Sequence, residues 1–411
     1  MKVNGIIAEY NPFHNGHSYH LSHAKQTTGA DYTVIAMSGN FVQRGAPALI
    51  SKYKRAEMAL QNGADLVLEL PVYYSSSSAE YFAEGAIALL DKLGVITELC
   101  FGSECGDITI LQRIADILLT EPSAYVDALK EHLRLGLSYP SARNAALIHY
   151  DPSLIAYKGV LFSPNNILGI AYLKALKRRE SHIQPFTTRR VGADYHDKRL
   201  GEMQASALAI RQAVMSAVDT EYLRNQMPEN AYSIFAECLN QRCFLENDAF
   251  SSILHYKLLT EAEKGYDEYL DVSPELSDRI RNNLEQFRNF QDFCDLLKSK
   301  DMTYTRISRC LLHILLNMKT STMGKYVSMD YVPYVRVLGF RKDAAPLLTA
   351  IKEHASIPVI SKLADAEQIL MPEAYHMLKE DISINRIYES AMSLKSGLPM
   401  QNEYRTPIVI V

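Results

Sequence analysis

Five mostly apolar runs of strand length alternate with helix-patterned segments over the first half of the chain. Val3–Ala8 predicts a buried strand. The turn-rich stretch Asn11-Pro12-Phe13-His14-Asn15-Gly16-His17 follows, and helical signals run over Gly16–Gln26. Tyr32–Met37 predicts a second strand. Ser51–Asn62 carries Ala56, Ala59 and Leu60 at i, i+3, i+4 spacing and predicts a helix. Asp65–Leu70 is a third strand closed by Pro71, and Ala79–Leu93 is an amphipathic helix ended by Gly94. Ile96–Phe101 is a fourth strand, and Ile183–Thr188 a returning fifth. Strands alternating with helices predict an α/β, doubly wound parallel sheet of Rossmann-like type.

Helical patterning takes over at Asp107–Leu119, Ser123–Leu135, Asn166–Arg179 and Ser206–Ala217. Met227-Pro228-Glu229-Asn230 reads as a linker. Beyond it Asn282–Lys298 and Ser308–Lys319 read as helices, and Val332–Phe340 has strand character. The expected organisation is a Rossmann-like domain over 1–217 and a mainly α-helical region over 218–411.

A length of 411 residues suits two or three domains. Hydrophobic residues at 47% and charged residues at 22% exclude a disordered chain. No run of about 18 apolar residues is present, so no transmembrane helix and no membrane partner are expected. The opening apolar run is too short for a secretory signal, which predicts a cytoplasmic protein. The net charge of −4 excludes a uniformly basic nucleic-acid binder but leaves room for a basic face. The cysteine pairs 100/105 and 238/243 lack zinc-ribbon spacing, so all six cysteines are expected as reduced thiols. No pattern assigns an oligomeric state.

The first chemical constellation is the junction between strand 1 and its helix. Open α/β sheets bind ligands at the carboxyl ends of their strands. A helix N-terminus there offers unpaired N–H groups and a partial positive charge to phosphate. Gly16 lets backbone approach a nucleotide, and the imidazoles of His14 and His17 can donate to phosphate oxygens as charge builds. His14, His17, His20 and His23 recur every third residue, a drift of about 60° per step on a helix, so all four cannot share one metal ion.

Four further stretches carry polar side chains. Phe101-Gly102-Ser103-Glu104 lies on the same rim, where a glycine can admit adenine or ribose. Ser163-Pro164-Asn165-Asn166 opens a helix, and its asparagines either cap that helix or read ligand hydroxyls. Lys174, Lys177, Arg178, Arg179, Arg189, Arg190, Lys198 and Arg199 form a basic window for nucleotide or nucleic-acid phosphates, the alternative being a solvated helix face. Ser206, with Arg211 five residues on, starts a helix that can place a hydroxyl and N–H groups at a phosphate.

His14-Asn15-Gly16-His17 resembles the H-x-G-H signature of the HIGH-type nucleotidyltransferase superfamily. Ser206, Ile210 and Arg211 match its second motif, with Leu208 at the threonine position, and no lysine-loop motif is evident. Glu9–His17, Ser38–Gly45, Phe101–Glu104, Pro164–Gly169, Arg190–Asp197 and Val335–Phe340 together resemble the bacterial tRNA(Met) cytidine acetate ligase family over the whole chain. The resemblance implies a reaction in two halves. ATP and acetate give acetyl-adenylate and pyrophosphate; N4 of the wobble cytidine of elongator tRNA(Met) then takes the acetyl group.

The resemblance also implies roles. His14 and His17 are the catalytic pair at the α-phosphate. Ile7, Ala8, Glu9, Tyr10, Asn11, Pro12, Phe13, Asn15, Gly16, Ser18, Tyr19 and His20 line the nucleotide, with Gly102, Asn165, Arg190 and Ser206 beside it. ATP is then a substrate, Mg²⁺ is expected for charge neutralisation, and no protein metal cage is assigned. Arg306, Arg309, Lys319, Lys325, Arg336, Arg341 and Lys342, with Tyr331 and Tyr334, are expected to hold tRNA. Two other readings stand beside this one: an adenylyltransferase acting on a small phosphorylated metabolite, and a non-catalytic RNA-binding factor.

Overall fold

The computed structural model describes residues 1–159, 161, 163–190, 206–216 and 220–411. Its strands are β1 (Val3–Ala8), β2 (Tyr32–Ser38), a short hairpin of β3 (Phe41–Val42) and β4 (Ala46–Pro47), and β5 (Leu66–Leu70). They continue with β6 (Glu98–Ser103), β7 (Gln184–Arg189), β8 (Val335–Phe340), β9 (Val359–Ile360) and β10 (Val409–Ile410). The order β5-β2-β1-β6-β7 is parallel throughout. Helices α1 (Asn15–Thr28), α2 (Lys52–Gln61), α3 (Val72–Ser75) and α4 (Ala79–Asp91) connect the first four of these strands. Then α5 (Ile108–Thr120), α6 (Ser123–Arg134), α7 (Tyr139–Tyr150) and α8 (Pro164–Arg178) lead into β7.

Both faces of the central strands are covered, which is why they read as continuous apolar runs. One layer packs Val34, Ala36 and Leu68 with Ala83, Ile87 and Leu90 of α4. The other packs Ile6, Ile35 and Met37 with Leu21 and Ala24 of α1 and Ala59 and Leu60 of α2. Local signals set the helix ends. Ser51 caps α2 and Asp107 caps α5, while Gly29, at φ 63°, terminates α1 through its N–H to the Lys25 carbonyl.

The strand expected near Val332–Phe340 joins this same sheet. β8 lies antiparallel to β5, with Leu66 opposite Phe340 and Glu69 opposite Arg336, and β9 and β10 run parallel to β8. Residues on both sides of position 218 therefore share one sheet and one apolar cluster, which runs from Val3 to Met392. The long helix Pro372–Ser396 crosses the carboxyl rim: Asp381 accepts from the Val72 N–H at 2.9 Å, and the Tyr388 hydroxyl donates to the Ala48 carbonyl at 2.9 Å.

The helix expected over Asn282–Lys298 is broken. Asn289 is extended and its side chain accepts from the Asp292 N–H at 2.8 Å, starting a new helix at Phe290–Leu297. The helix expected over Ser308–Lys319 begins earlier, at Tyr304, because Thr303 is its N-cap.

A buried charge cluster ties the C-terminal segments to the sheet. Lys52 pairs with Glu69 at 2.7 Å and with Glu403, while Arg336 pairs with Glu69 and Glu403 at 2.9 Å each. All four side chains are almost fully buried, so the two cations and two carboxylates must neutralise one another.

Candidate active site

The strand order reverses at β1, so the residues after Ala8 enter the crevice between β1 and β6. The loop there is tied down at several points. Tyr10 is left-handed (φ 48°), and the Asn11–Pro12 bond is cis. The Asn11 side-chain oxygen accepts from the Leu49 N–H at 2.7 Å, and its carbonyl accepts from the Arg211 guanidinium at 2.6 Å. The Glu9 carbonyl accepts from Arg55 at 2.6 Å, and the Glu9 carboxylate accepts from the Gln43 N–H at 2.9 Å. Pro12 and Phe13 are buried beneath the turn.

His14 is the N-cap of α1. Its Nδ1 accepts the Gly16 N–H at 3.0 Å, and the His17 Nδ1 accepts the His14 N–H at 3.3 Å. The two rings stack with centroids 3.7 Å apart, and Tyr10 meets the His17 ring edge-on at 4.9 Å. A Cβ on residue 16 would lie 2.9 Å from Cε1 of His14 and 3.1 Å from its Nδ1. The space left by Gly16 is thus filled by the His14 imidazole, a use that sequence reasoning did not anticipate.

Both rings are neutral at physiological pH. Burial, followed by the nearby Arg190 and Arg211, pushes His14 down to about 3. Burial, His14, Arg190 and His20 hold His17 well below its ordinary value. Burial, Arg190 and His23 push His20 down to about 4. With each Nδ1 of His14 and His17 occupied by a backbone N–H, the neutral rings carry their proton on Nε2. The result is two fixed Nε2–H donors at the carboxyl end of β1.

One expectation is corrected here. The first-turn amides are not open in this structure: the Asn15 N–H donates to the Gln226 carbonyl at 3.0 Å, and the Gly16 N–H is taken by His14.

On the β6 side, Gly102 faces Arg190, whose Cγ lies 3.2 Å from where a Cβ would stand. Arg190 is exposed and donates to the Asn165 side-chain oxygen at 3.3 Å. Asn165 donates to Glu104 at 2.6 Å, and the Asn166 side chain accepts from the Glu104 N–H at 2.9 Å. Gly102, Glu104, Asn165 and Arg190 therefore form one polar wall, in which Glu104 is a member that sequence reading left without a role.

Tyr19 is exposed and stacks on His23. Ile7 and Ala8 end β1, packed into opposite apolar layers. Asn15 donates its side-chain N–H to the Asn225 carbonyl at 2.9 Å, Ser18 is half-buried on α1, and exposed Ser206 caps its own helix, Ala207–Met215, by accepting from the Ala209 N–H.

The 174–179 part of the basic window does not form an open phosphate-binding face. Lys174 pairs with Glu80, Lys177 with Asp116, Arg178 with Glu80 and Glu84, and Arg179 with Asp91 and Asp330. Acidic residues of neighbouring elements neutralise it. Lys198 and Arg199, like residues 191–197 of the Arg190–Asp197 motif, lie outside the described residues.

Part of the C-terminal basic set is engaged within the fold. Arg336 is locked in the buried cluster, and buried Tyr334 donates to Asp381 at 2.8 Å. Arg309 lies 3.8 Å from Asp271, Lys319 pairs with Glu268, and Arg341 with Asp343. Arg306, Lys325 and Lys342 are exposed with no ion pair among the described residues.

Arg55 was missed altogether. It is fully buried and donates to the carbonyls of Ile50, Glu9, Ser38 and Gly39, binding the ends of β1 and β2 together. Its neighbours Ala56 and Ala59 on the apolar face of α2 are the signal that places it inward.

Among the described residues no three His, Cys, Asp or Glu side chains converge on a possible metal position. No described helix is long and apolar enough to cross a membrane.

The model of the HIGH nucleotidyl transferase family matches residues 1–402. The chain belongs to this family. It is 38% identical over 397 residues to the tRNA(Met) cytidine acetate ligase of Clostridium novyi, covering 95% of this chain and 99% of that one. It is also 38% identical over 415 residues to the enzyme of the same name from Acetivibrio thermocellus, with both chains covered in full. The apo crystal structure of Thermotoga maritima TmcAL matches with a TM-score of 0.91 at 31% identity, again over both whole chains. A second crystal form of that protein, bound with alpha-thio ATP, matches with the same TM-score. Membership of the HIGH nucleotidyl transferase family agrees with the strand order and with the histidine pair at the end of β1.

Proposed function

We propose that this chain is an ATP-dependent tRNA(Met) cytidine acetate ligase of the cytoplasm. It activates acetate as acetyl-AMP and transfers the acetyl group to N4 of the wobble cytidine of elongator tRNA(Met). The observation that carries the reading is the stacked His14–His17 pair, with both Nε2–H groups fixed at the sheet's switch point. Relatives that share the name over whole chains, and the alpha-thio ATP complex of the Thermotoga protein, support it.

In this reading an acetate oxygen attacks the α-phosphorus, the bond to the bridging oxygen breaks, and pyrophosphate leaves. His14 and His17 donate to the α-phosphate oxygens as their charge rises, while Arg190 adds positive potential from the Gly102–Asn165 wall. Neutral donors suit this task, because they exchange no proton with a group whose charge changes. The cytidine N4 then attacks the acetyl carbonyl, AMP leaves, and N4 gives up a proton. Glu9 accepts from the Gln43 N–H and Glu104 from Asn165 and Asn166, and Mg²⁺ would be brought in on the phosphates of ATP, neutralising their charge.

Acetate-dependent exchange of labelled pyrophosphate into ATP tests the first half. Exchange that requires acetate supports the proposal. Exchange that ignores acetate and requires a phosphorylated metabolite contradicts it.

A further inference from the structure

Helix α8 is not capped by its own first residue. Ser163 stands at the N-cap position, but its side chain makes no cap bond. The cap comes from Glu104, in the turn after β6. One carboxylate oxygen, Oε1, accepts from the Asn165 N–H at 3.3 Å and from the Asn165 side-chain Nδ2 at 2.6 Å. The other, Oε2, accepts from the Asn166 N–H at 2.9 Å. Fully buried Asn166 reciprocates, its Oδ1 accepting from the N–H groups of Glu104 at 2.9 Å and Cys105 at 3.2 Å. A carboxylate suits this place, because the helix start offers unpaired amides and a partial positive charge.

The clamp sets the orientation of the Asn165 amide. Its Nδ2 is turned to Glu104, so its Oδ1 is left for Arg190, whose Nη1 donates to it at 3.3 Å. The rest of Arg190 is also held. Its N–H donates to the Ser103 carbonyl at 2.9 Å, and its Cγ lies across Gly102. The guanidinium is exposed, and Asn165 is the acceptor it meets among the described residues. Its charge reaches the catalytic loop: burial comes first in holding His14, His17 and His20 below their ordinary values, and Arg190 adds to it at all three. A relay of Glu104, Asn165 and Arg190 therefore ends beside the histidine pair.

We propose that Glu104 is a positioning residue for the reaction: by fixing the Asn165 amide it holds the Arg190 guanidinium at the His14–His17 end of the crevice. This rests on the reading of the site as an ATP-cleaving centre. The relay needs a carboxylate and not merely a polar group. Both oxygens of Glu104 face donors, whereas a glutamine brings one acceptor and one donor. A glutamine oxygen kept for the Asn166 N–H leaves the new amide nitrogen facing Asn165. Asn165 must then turn over, which sets its Nδ2 against Arg190, donor against donor.

The test is a donor–acceptor swap, read by calorimetric titration with ATP. The chains are the wild type, Glu104→Gln, Asn165→Asp and the pair of substitutions together, with Glu104→Gln repeated in an Arg190→Ala background. Losing the charge-assisted contact that depends on Arg190 predicts about 10-fold weaker ATP binding in Glu104→Gln. Asn165→Asp alone sets two carboxylates face to face and should weaken binding as well. The pair restores the pattern, a donor at 104 and an acceptor at 165 that still meets Arg190, and most of the affinity should return. With Arg190→Ala already in place, Glu104→Gln should cost little more. Melting temperatures measured alongside separate positioning from capping, because a residue that only caps α8 would change stability and leave ATP affinity alone. Unchanged ATP affinity in Glu104→Gln overturns the proposal. So does an equal loss in the Arg190→Ala background, or a pair that binds no better than Glu104→Gln. The titrations need no acetate; a wild-type chain that binds no ATP would contradict the ATP-cleaving reading itself, and the inference with it.

Discussion

Replacing Gly16 by alanine asks how the histidine pair works. The new Cβ would stand 2.9 Å from Cε1 of His14 and 3.1 Å from its Nδ1, inside ordinary contact distance. The ring must move, losing the 3.0 Å bond from the Gly16 N–H and the 3.7 Å stack on His17. The lost cap costs about 1 kcal/mol of stability. The gain from replacing a helical glycine by alanine is up to about 1 kcal/mol, so the fold should be nearly as stable as before. Catalysis should not be spared. Misplacing a donor aimed at developing charge costs about 2.7–4 kcal/mol, a fall of about 10²–10³ in rate. The assay is acetate-dependent ATP–pyrophosphate exchange in a cycle of Gly16→Ala, His14→Ala and the double variant. If Gly16 acts by making room for the imidazole, its replacement should cost little once His14 is gone. An equal cost in both backgrounds would refute this, and would return Gly16 to the role first read from the sequence, close approach of backbone to nucleotide.

Three other outcomes follow from the same structure. Glu403→Ala leaves Lys52 and Arg336 short of a counter-charge in a buried cluster and should destabilise the chain by about 3–5 kcal/mol, read by denaturant unfolding. His20 is held at about 4 when folded and is higher when unfolded, so the unfolded chain takes up the proton first; stability should fall as pH drops from about 6.5 towards 4, and His20→Gln should flatten part of that decline in melting temperature. Joint replacement of Lys177, Arg178 and Arg179 by alanine should lower stability, by breaking their links to Asp116, Glu80, Glu84, Asp91 and Asp330, and should leave the salt dependence of tRNA binding unchanged; a flatter slope would show that these side chains do meet RNA.

The central sheet was readable because parallel strands buried on both faces, β1, β2, β5 and β6, leave apolar runs, and all five parallel strands lie within two residues of their expected starts. The placement of β8 was not readable, since an isolated run such as Val335–Phe340 carries no mark of its partner, β5, nearly 270 residues earlier. The histidine pair was legible from its position after β1. Its tautomer was not, because that depends on which backbone N–H groups the rings accept. The basic window misled for a related reason: Lys174 to Arg179 read as a charged face, but their acidic partners come from α4, α5 and the Asp330 turn, which sequence spacing does not bring together. Arg55 and Lys52 were passed over because buried cations look like surface ones until their partners are located.

The central claim is that this site charges acetate with AMP and passes the acetyl group to a tRNA cytidine. Labelled acetate, ATP and bulk tRNA incubated with the full chain, followed by digestion to nucleosides, tests it most directly. The account predicts label in N4-acetylcytidine from tRNA(Met), dependent on ATP and lost in His14→Ala. Label in no nucleoside, while acetate-independent transfer of AMP to another acceptor proceeds, would contradict it.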